Sequence, residues 1–152
     1  AADDALARKI EPHAPSSTQR FEAMAKLSKA GLFTGVLLMP VLPGITDDRE
    51  NLHQILIRAK EAGAQFVYCS YGMTMRDRQR EYYYQCLDEQ FPGLKEKYIR
   101  RYGNRYSCAC RKPFELKAMI ETECRQLGLL TQMKAIIEAY RFSRGPQQIS
   151  LF

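Results

Sequence analysis

The chain has 152 residues, 45% of them hydrophobic, enough for one domain whose core needs no disulfide or metal staple. No run approaches the ~20 apolar residues of a membrane-spanning helix, so no membrane partner is expected. The net charge of +6 is lopsided: residues 1–64 hold 8 Lys/Arg and 8 Asp/Glu, whereas 65–152 hold 15 and 9. Such a basic half points either to phosphate-rich partners or to an ordinary solvated surface with an arginine bias.

The start, AADDALARK, has no apolar signal region, and its lack of an initiator Met reads as a cut or processed piece. Five cysteines (Cys69, Cys86, Cys108, Cys110 and Cys124) make an odd count that favours a reducing, cytoplasmic setting over a disulfide framework. Cys108 and Cys110 form a lone C-x-C, and with only His13 and His53 beside it no metal site is expected.

In chain order, residues 1–15 read as a helical turn followed by a loop broken at Pro12 and Pro15. Ser16 or Ser17 caps a helix through Phe21, Met24 and Leu27 that Gly31 closes. An apolar run from Phe33 to Met39 stops at Pro40 and turns through Pro43 and Gly44. Thr46, Asp47 and Asp48 then offer N-cap oxygens, with Glu50 at capping-box spacing from Asp47. The helix that follows is apolar at Leu52, Ile55, Leu56 and Ala59 and ends at Gly63, before a second buried strand at 65–71.

Strand, helix, strand makes a parallel crossover the expected arrangement. The fold class is therefore α/β, with parallel strands near 33–39 and 65–71, and ligands of such folds sit at the carboxyl ends of the strands. Two strands close no barrel, and a parallel sheet needs cover on both faces. Either the chain is the carboxyl-terminal part of a partial TIM-like (βα) barrel that lacks its amino-terminal half, or a homodimer covers the exposed sheet edge.

After residue 73 the pattern becomes mainly helical, with helices at 75–90, 94–102, 113–127 and 131–141. The expected organisation is a barrel segment at 1–73, a helical extension at 74–144 and a flexible tail at 145–152. In the first of those helices Arg76 and Arg80 share a face beside Tyr83 and Tyr84. Cations for phosphates next to rings for bases suit single-stranded nucleic acid, DNA included. The competing reading is core tyrosines with arginines paired locally, as in Asp77 with Arg80.

The segments KIEPHAPS at 9–16, Arg20 with the Ala30-Gly31 helix end, GVLLMPVLPGITD at 35–47 and TMRDRQREYYYQCLDEQFPGLKEKYIRRYGNRY at 74–106 together resemble one family. They are similar to the DNA-repair-photolyase-like branch of the radical S-adenosylmethionine enzymes, relatives of spore photoproduct lyase. The resemblance implies a partial parallel barrel, a [4Fe–4S] cluster and reductive cleavage of S-adenosylmethionine to a 5′-deoxyadenosyl radical. The family's C-x3-C-x2-C cluster motif is absent here. The resemblance thus implies the carboxyl-terminal portion of a lyase-like parent, inactive alone and without a cofactor of its own.

In that parent, Leu38, Met39 and Pro40 would meet the cofactor at the first strand end, unless Met39 is a core plug. Arg20 would pair with a carboxylate or simply lie on the surface. Glu11, beside His13 in the Pro-bounded loop, would hold ribose hydroxyls or be solvated. At the second strand end Ser70 is a further cofactor contact, and Cys69 is either a hydrogen-atom donor or a small buried residue. The last five residues, Gln148, Ile149, Ser150, Leu151 and Phe152, resemble the bacterial sliding-clamp-binding motif. The alternative function is accordingly a non-catalytic module binding nucleic acid or a sliding clamp.

Overall fold

A parallel pair of strands joined by a helix forms the centre of the molecule: β1 (Gly35–Leu38) lies against β2 (Phe66–Cys69), with α3 (Arg49–Glu61) between them in sequence. The structure, a computed structural model, describes residues 1–143, and Asp77 by its backbone alone. The register pairs Gly35 with Phe66, Leu37 with Tyr68 and Leu38 with Cys69. Both strands are shorter than expected. Pro40 has no N–H to offer a ladder, and Tyr71 leads into β3.

Ahead of β1 come α1 (Asp4–Ile10) and α2 (Ser17–Lys29). The cap of α2 is Ser16, in a capping box with Gln19. For α3 the cap is Asp48, which accepts from the Asn51 N–H at 2.8 Å. Asp47 instead takes the Gly44 N–H at 2.7 Å and Thr46 the Leu42 N–H at 2.8 Å, so two of the three expected caps fold the loop and only the third starts the helix. Arg58 of α3 lies over the Phe21 ring at 4.6 Å and bonds Thr18, which ties α2 to α3.

Beyond β2 the chain departs from a simple helical extension. Two three-residue strands, β3 (Gly72–Thr74) and β4 (Ser107–Ala109), pair antiparallel and enclose α4 (Asp77–Gln90) and α5 (Leu94–Tyr102). This insertion has its own small core of Met75, Leu87, Tyr98, Tyr102 and Cys108. Then α6 (Pro113–Leu127) returns to pack on α3, with His53 Nδ1 2.8 Å from Glu123 Oε2, and α7 (Met133–Ser143) follows.

Between α6 and α7, Leu130 bridges in parallel to Phe66 on the edge of β2 opposite β1. The backbone order is therefore β1, β2 and a one-residue third position, each separated by at least one helix. The main core fills one face only: Met24 from α2, Leu52 and Leu56 from α3, Ile120 and Cys124 from α6, and Val67 from β2. On the other face Leu37 is 67% exposed and Met39 52% exposed. The architecture is mixed α/β, and the described residues close no barrel. No helix among them is long and apolar enough to cross a membrane.

Candidate site at the strand ends

The carboxyl ends of the two strands are stitched together by backbone. The Ser70 N–H donates to the Leu38 carbonyl at 3.1 Å, and the Val41 N–H to the Ser70 carbonyl at 2.9 Å. A depression opens beside this stitch, lined by Met39, Pro40, Ser70, Gly72, Thr74 and Gln79. Three of the residues singled out from sequence, Met39, Pro40 and Ser70, thus share one wall, with Leu38 behind them. Met39 is no core plug, since half of it is exposed.

The floor of the depression is stiffened from the insertion. Its far wall includes Ser107 and Ala109 of β4, so the hairpin strands and the parallel strand ends form one concavity. Residues 107–109 carried no signal for this role, because a three-residue strand has no period of its own and pairs 35 positions from β3 in sequence.

Glu11 and Arg20 do not line that depression. They form an ion pair with each other, both about half exposed, across the gap between α1 and α2. Arg20 also borders a separate apolar groove that runs along the outer edge of β1, past Phe21, Met24, Leu27, Phe33 and Leu37. His13 lies in the exposed turn between α1 and α2.

Cys69 is also redirected. Alternation along β2 turns it to the same side as Val67, into the core shared with Cys124 of α6. Burial pushes its thiol up to about 11, while the Tyr71 hydroxyl donates a hydrogen bond to the sulfur. Cys110 and Cys124, fully buried, are each pushed up to about 12 by desolvation. Cys69 therefore stays a protonated thiol beneath the helices, and Ser70 is the residue at the strand end that meets the concavity. Of the two readings of Cys69, a hydrogen-atom donor or a small buried residue, its packing against the core favours the second.

The arginine–tyrosine helix faces inward more than its sequence suggests. The Arg80 guanidinium donates to the carbonyls of Gly103 and Arg105, each at 2.8 Å, closing the loop after α5. Tyr83 donates to the Tyr98 hydroxyl at 3.1 Å inside the small core, and Tyr84 packs against the same core with its hydroxyl buried. Arg76 bonds the Tyr106 hydroxyl and holds that phenol below its usual range. The four residues thus bind the insertion to itself: a helix that must seal a core on one side cannot present all its rings to solvent. The tail candidates Gln148, Ile149, Ser150, Leu151 and Phe152 lie outside the described residues.

Among the described residues, no three His, Cys, Asp or Glu side chains converge as metal ligands. The chain's buried thiols, held protonated by desolvation and split between two cores, do not fit a [4Fe–4S] cluster, which needs thiolates around one cube.

No protein-family model matches the chain, and no solved structure matches it significantly. It is similar to uncharacterized proteins of Mycobacterium bovis and of two strains of Mycobacterium tuberculosis, each 32% identical over 100 residues. That match takes in 66% of this chain and 29% of each relative, so the chain spans under a third of their length.

Proposed function

We propose that this chain is the carboxyl-terminal part of a partial (βα) barrel belonging to a radical S-adenosylmethionine enzyme, and that its strand ends form one wall of the cofactor site. The chemistry assigned to the parent comes from the resemblance of residues 9–16, 35–47 and 74–106 to the photolyase-like branch. The observation that carries the placement is the outer edge of β1. Among the described residues nothing pairs with that edge, and the apolar groove beside it is flanked by α2.

A helix packed beside an unpaired parallel strand is what remains of a βαβ crossover when its first strand is elsewhere. A strand added there would cover Leu37, and burial of such a side chain is worth about 1.5–3 kcal/mol. On this reading the preceding strands bring the cluster-binding cysteines, and Leu38 to Pro40 with Ser70 contact S-adenosylmethionine. The bound cofactor supplies the radical, and this chain's part is to bind and orient it. The chain alone catalyses nothing.

The test is the reading frame that contains this chain, expressed whole and reconstituted anaerobically with iron and sulfide. A brown cluster and 5′-deoxyadenosine on reduction support the proposal. A frame without three closely spaced cysteines ends it. A stable dimer of the isolated chain, abolished by Leu37→Glu, would instead assign the β1 edge to a second copy.

A further inference from the structure

We infer that a basic track over α5 and the start of α6 binds the phosphodiester backbone of single-stranded nucleic acid, at a place distinct from the Arg76–Tyr84 helix. The inference does not rest on the radical-enzyme reading. Three shallow depressions join end to end here. The first is bordered by Arg105 and Asn104, the second by Lys97 and Arg111, and the third by Lys112 and Arg49. The first and second share Arg100, Arg101 and Tyr102, and the second and third share Arg111 and Asp47.

The cations of the track are exposed and largely uncommitted. Lys97, Arg100, Arg105 and Arg111 make no ion pair with a carboxylate among the described residues. Arg101 donates to the Cys110 carbonyl at 3.2 Å and lies over the Tyr102 ring, which aims it along the groove. Three carboxylates also line the track, Asp47 in the second and third depressions and Asp48 and Glu115 in the third; Asp47 accepts the Gly44 N–H, Asp48 caps α3 and Glu115 pairs with Lys112. Arg100 and Arg101 sit in the last turn of α5, where they complement the helix dipole. That dipole does not account for Lys97, Arg105 and Arg111.

Shape and rings select the ligand. A single phosphate needs one pocket, whereas successive depressions with a cation at each step match a repeating charge. Tyr106, 54% exposed, follows Arg105 in sequence with its hydroxyl tied to Arg76, and Phe114, 85% exposed, stands in sequence between Lys112 and Glu115 of the third depression. Exposed rings near a phosphate track in sequence, Phe114 above all, offer unpaired bases a stacking surface that a closed duplex does not use. The Arg/Lys surplus of the second half of the sequence is concentrated here.

The experiment is fluorescence anisotropy of the full chain with a labelled oligothymidylate of about twelve nucleotides, at low and moderate salt. The variant R100A/R111A is compared with the charge-matched control R8A/K29A, which lies away from the track. Affinity is expected to fall about tenfold or more in the first and under about twofold in the second, with the salt slope reduced by about 1.4 for two lost phosphate contacts. Phe114→Ala should weaken oligothymidylate while leaving binding of inorganic polyphosphate unchanged.

Amide shifts on the unaltered protein, measured with the same oligonucleotide, should cluster on residues 97–115. Absence of binding at low salt would overturn the proposal. So would equal losses in both variants, displacement by inorganic phosphate at matched phosphate concentration, or binding confined to anionic phosphatidylglycerol vesicles.

Discussion

The Tyr98 hydroxyl donates to the Pro43 carbonyl at 2.6 Å, across 55 residues of sequence, and so fastens α5 of the insertion to the loop that leaves β1. Tyr98 also accepts from Tyr83 at 3.1 Å. One buried phenol thereby couples the small core to the loop that continues from Met39 and Pro40 of the concavity wall. Its own acidity is suppressed by burial, so it stays a donor across the working pH range.

Tyr98→Phe keeps the ring but leaves the Pro43 carbonyl without its donor inside the protein. The expected loss is about 1–3 kcal/mol of unfolding free energy, read as a lower urea midpoint with an unchanged m-value. Hydrogen exchange should rise in the segment 41–47 more than in α3. An unchanged midpoint would mean that this bond does not hold the loop.

Gly35 is paired with Phe66 in the register of β1 and β2. A Cβ there would lie 2.4 Å from the Phe66 ring and 2.5 Å from the Phe66 carbonyl oxygen. Gly35→Ala should cost about 1–3 kcal/mol through overpacking. The double variant with Phe66→Ala should recover little of it, because the carbonyl stays in place. Full recovery would show that the ring alone sets the spacing.

Arg80→Met tests whether the arginine of α4 holds structure or ligand. Three carbonyls, of Gly103, Arg105 and, at 3.4 Å, Met75, lose a charged donor on a partly exposed site, so a loss of about 1–2 kcal/mol is expected in thermal or urea unfolding. Oligonucleotide affinity of the folded fraction should match that of the single surface variant R8A. A larger drop with unaltered stability would return Arg80 to a binding role.

The buried thiols make stability fall at alkaline pH. Cys69 is raised from 9.0 to about 11, and Cys110 and Cys124 from 9.0 to about 12, all by desolvation. The native state therefore keeps protons that the unfolded chain releases. The contribution is whole below about pH 9 and declines as pH rises from there through the folded values. Tyr71 and Tyr98, also held protonated by burial, add to the trend. Urea midpoints measured from pH 8 upward should drop beyond about 9, and less steeply in Cys124→Ala. A flat profile in the parent chain would contradict the burial of these thiols.

The clearest sequence signals were those whose cause is local. Ser16 before α2, Gly31 after α2 and Gly63 after α3 each begin or end an element by satisfying nearby backbone groups, and those ends fall where the signals put them. The order strand, helix, strand at 35–69 follows from the same punctuation plus two apolar runs. Of the candidate site, Met39, Pro40 and Ser70 could be named because strand ends can be counted.

What the sequence left open depends on partners distant along the chain. The pairing of residues 72–74 with 107–109, and of Leu130 with Phe66, has no period to announce it. Each arises because a folded neighbour presents an unpaired edge at the right height. The same holds for side-chain direction. Pleating turns Cys69 under the helices and Ser70 out to the concavity, and the small core draws in Tyr83 and Tyr84 while leaving Lys97, Arg100 and Arg111 exposed.

The sequence by itself determined that the helices form, most of their ends and the parallel βαβ order, because capping and hydrophobic periodicity act within a few residues. Only the tertiary structure decided which residues face a ligand, because facing is set by packing between segments tens of residues apart, where burial free energy overrides any local preference.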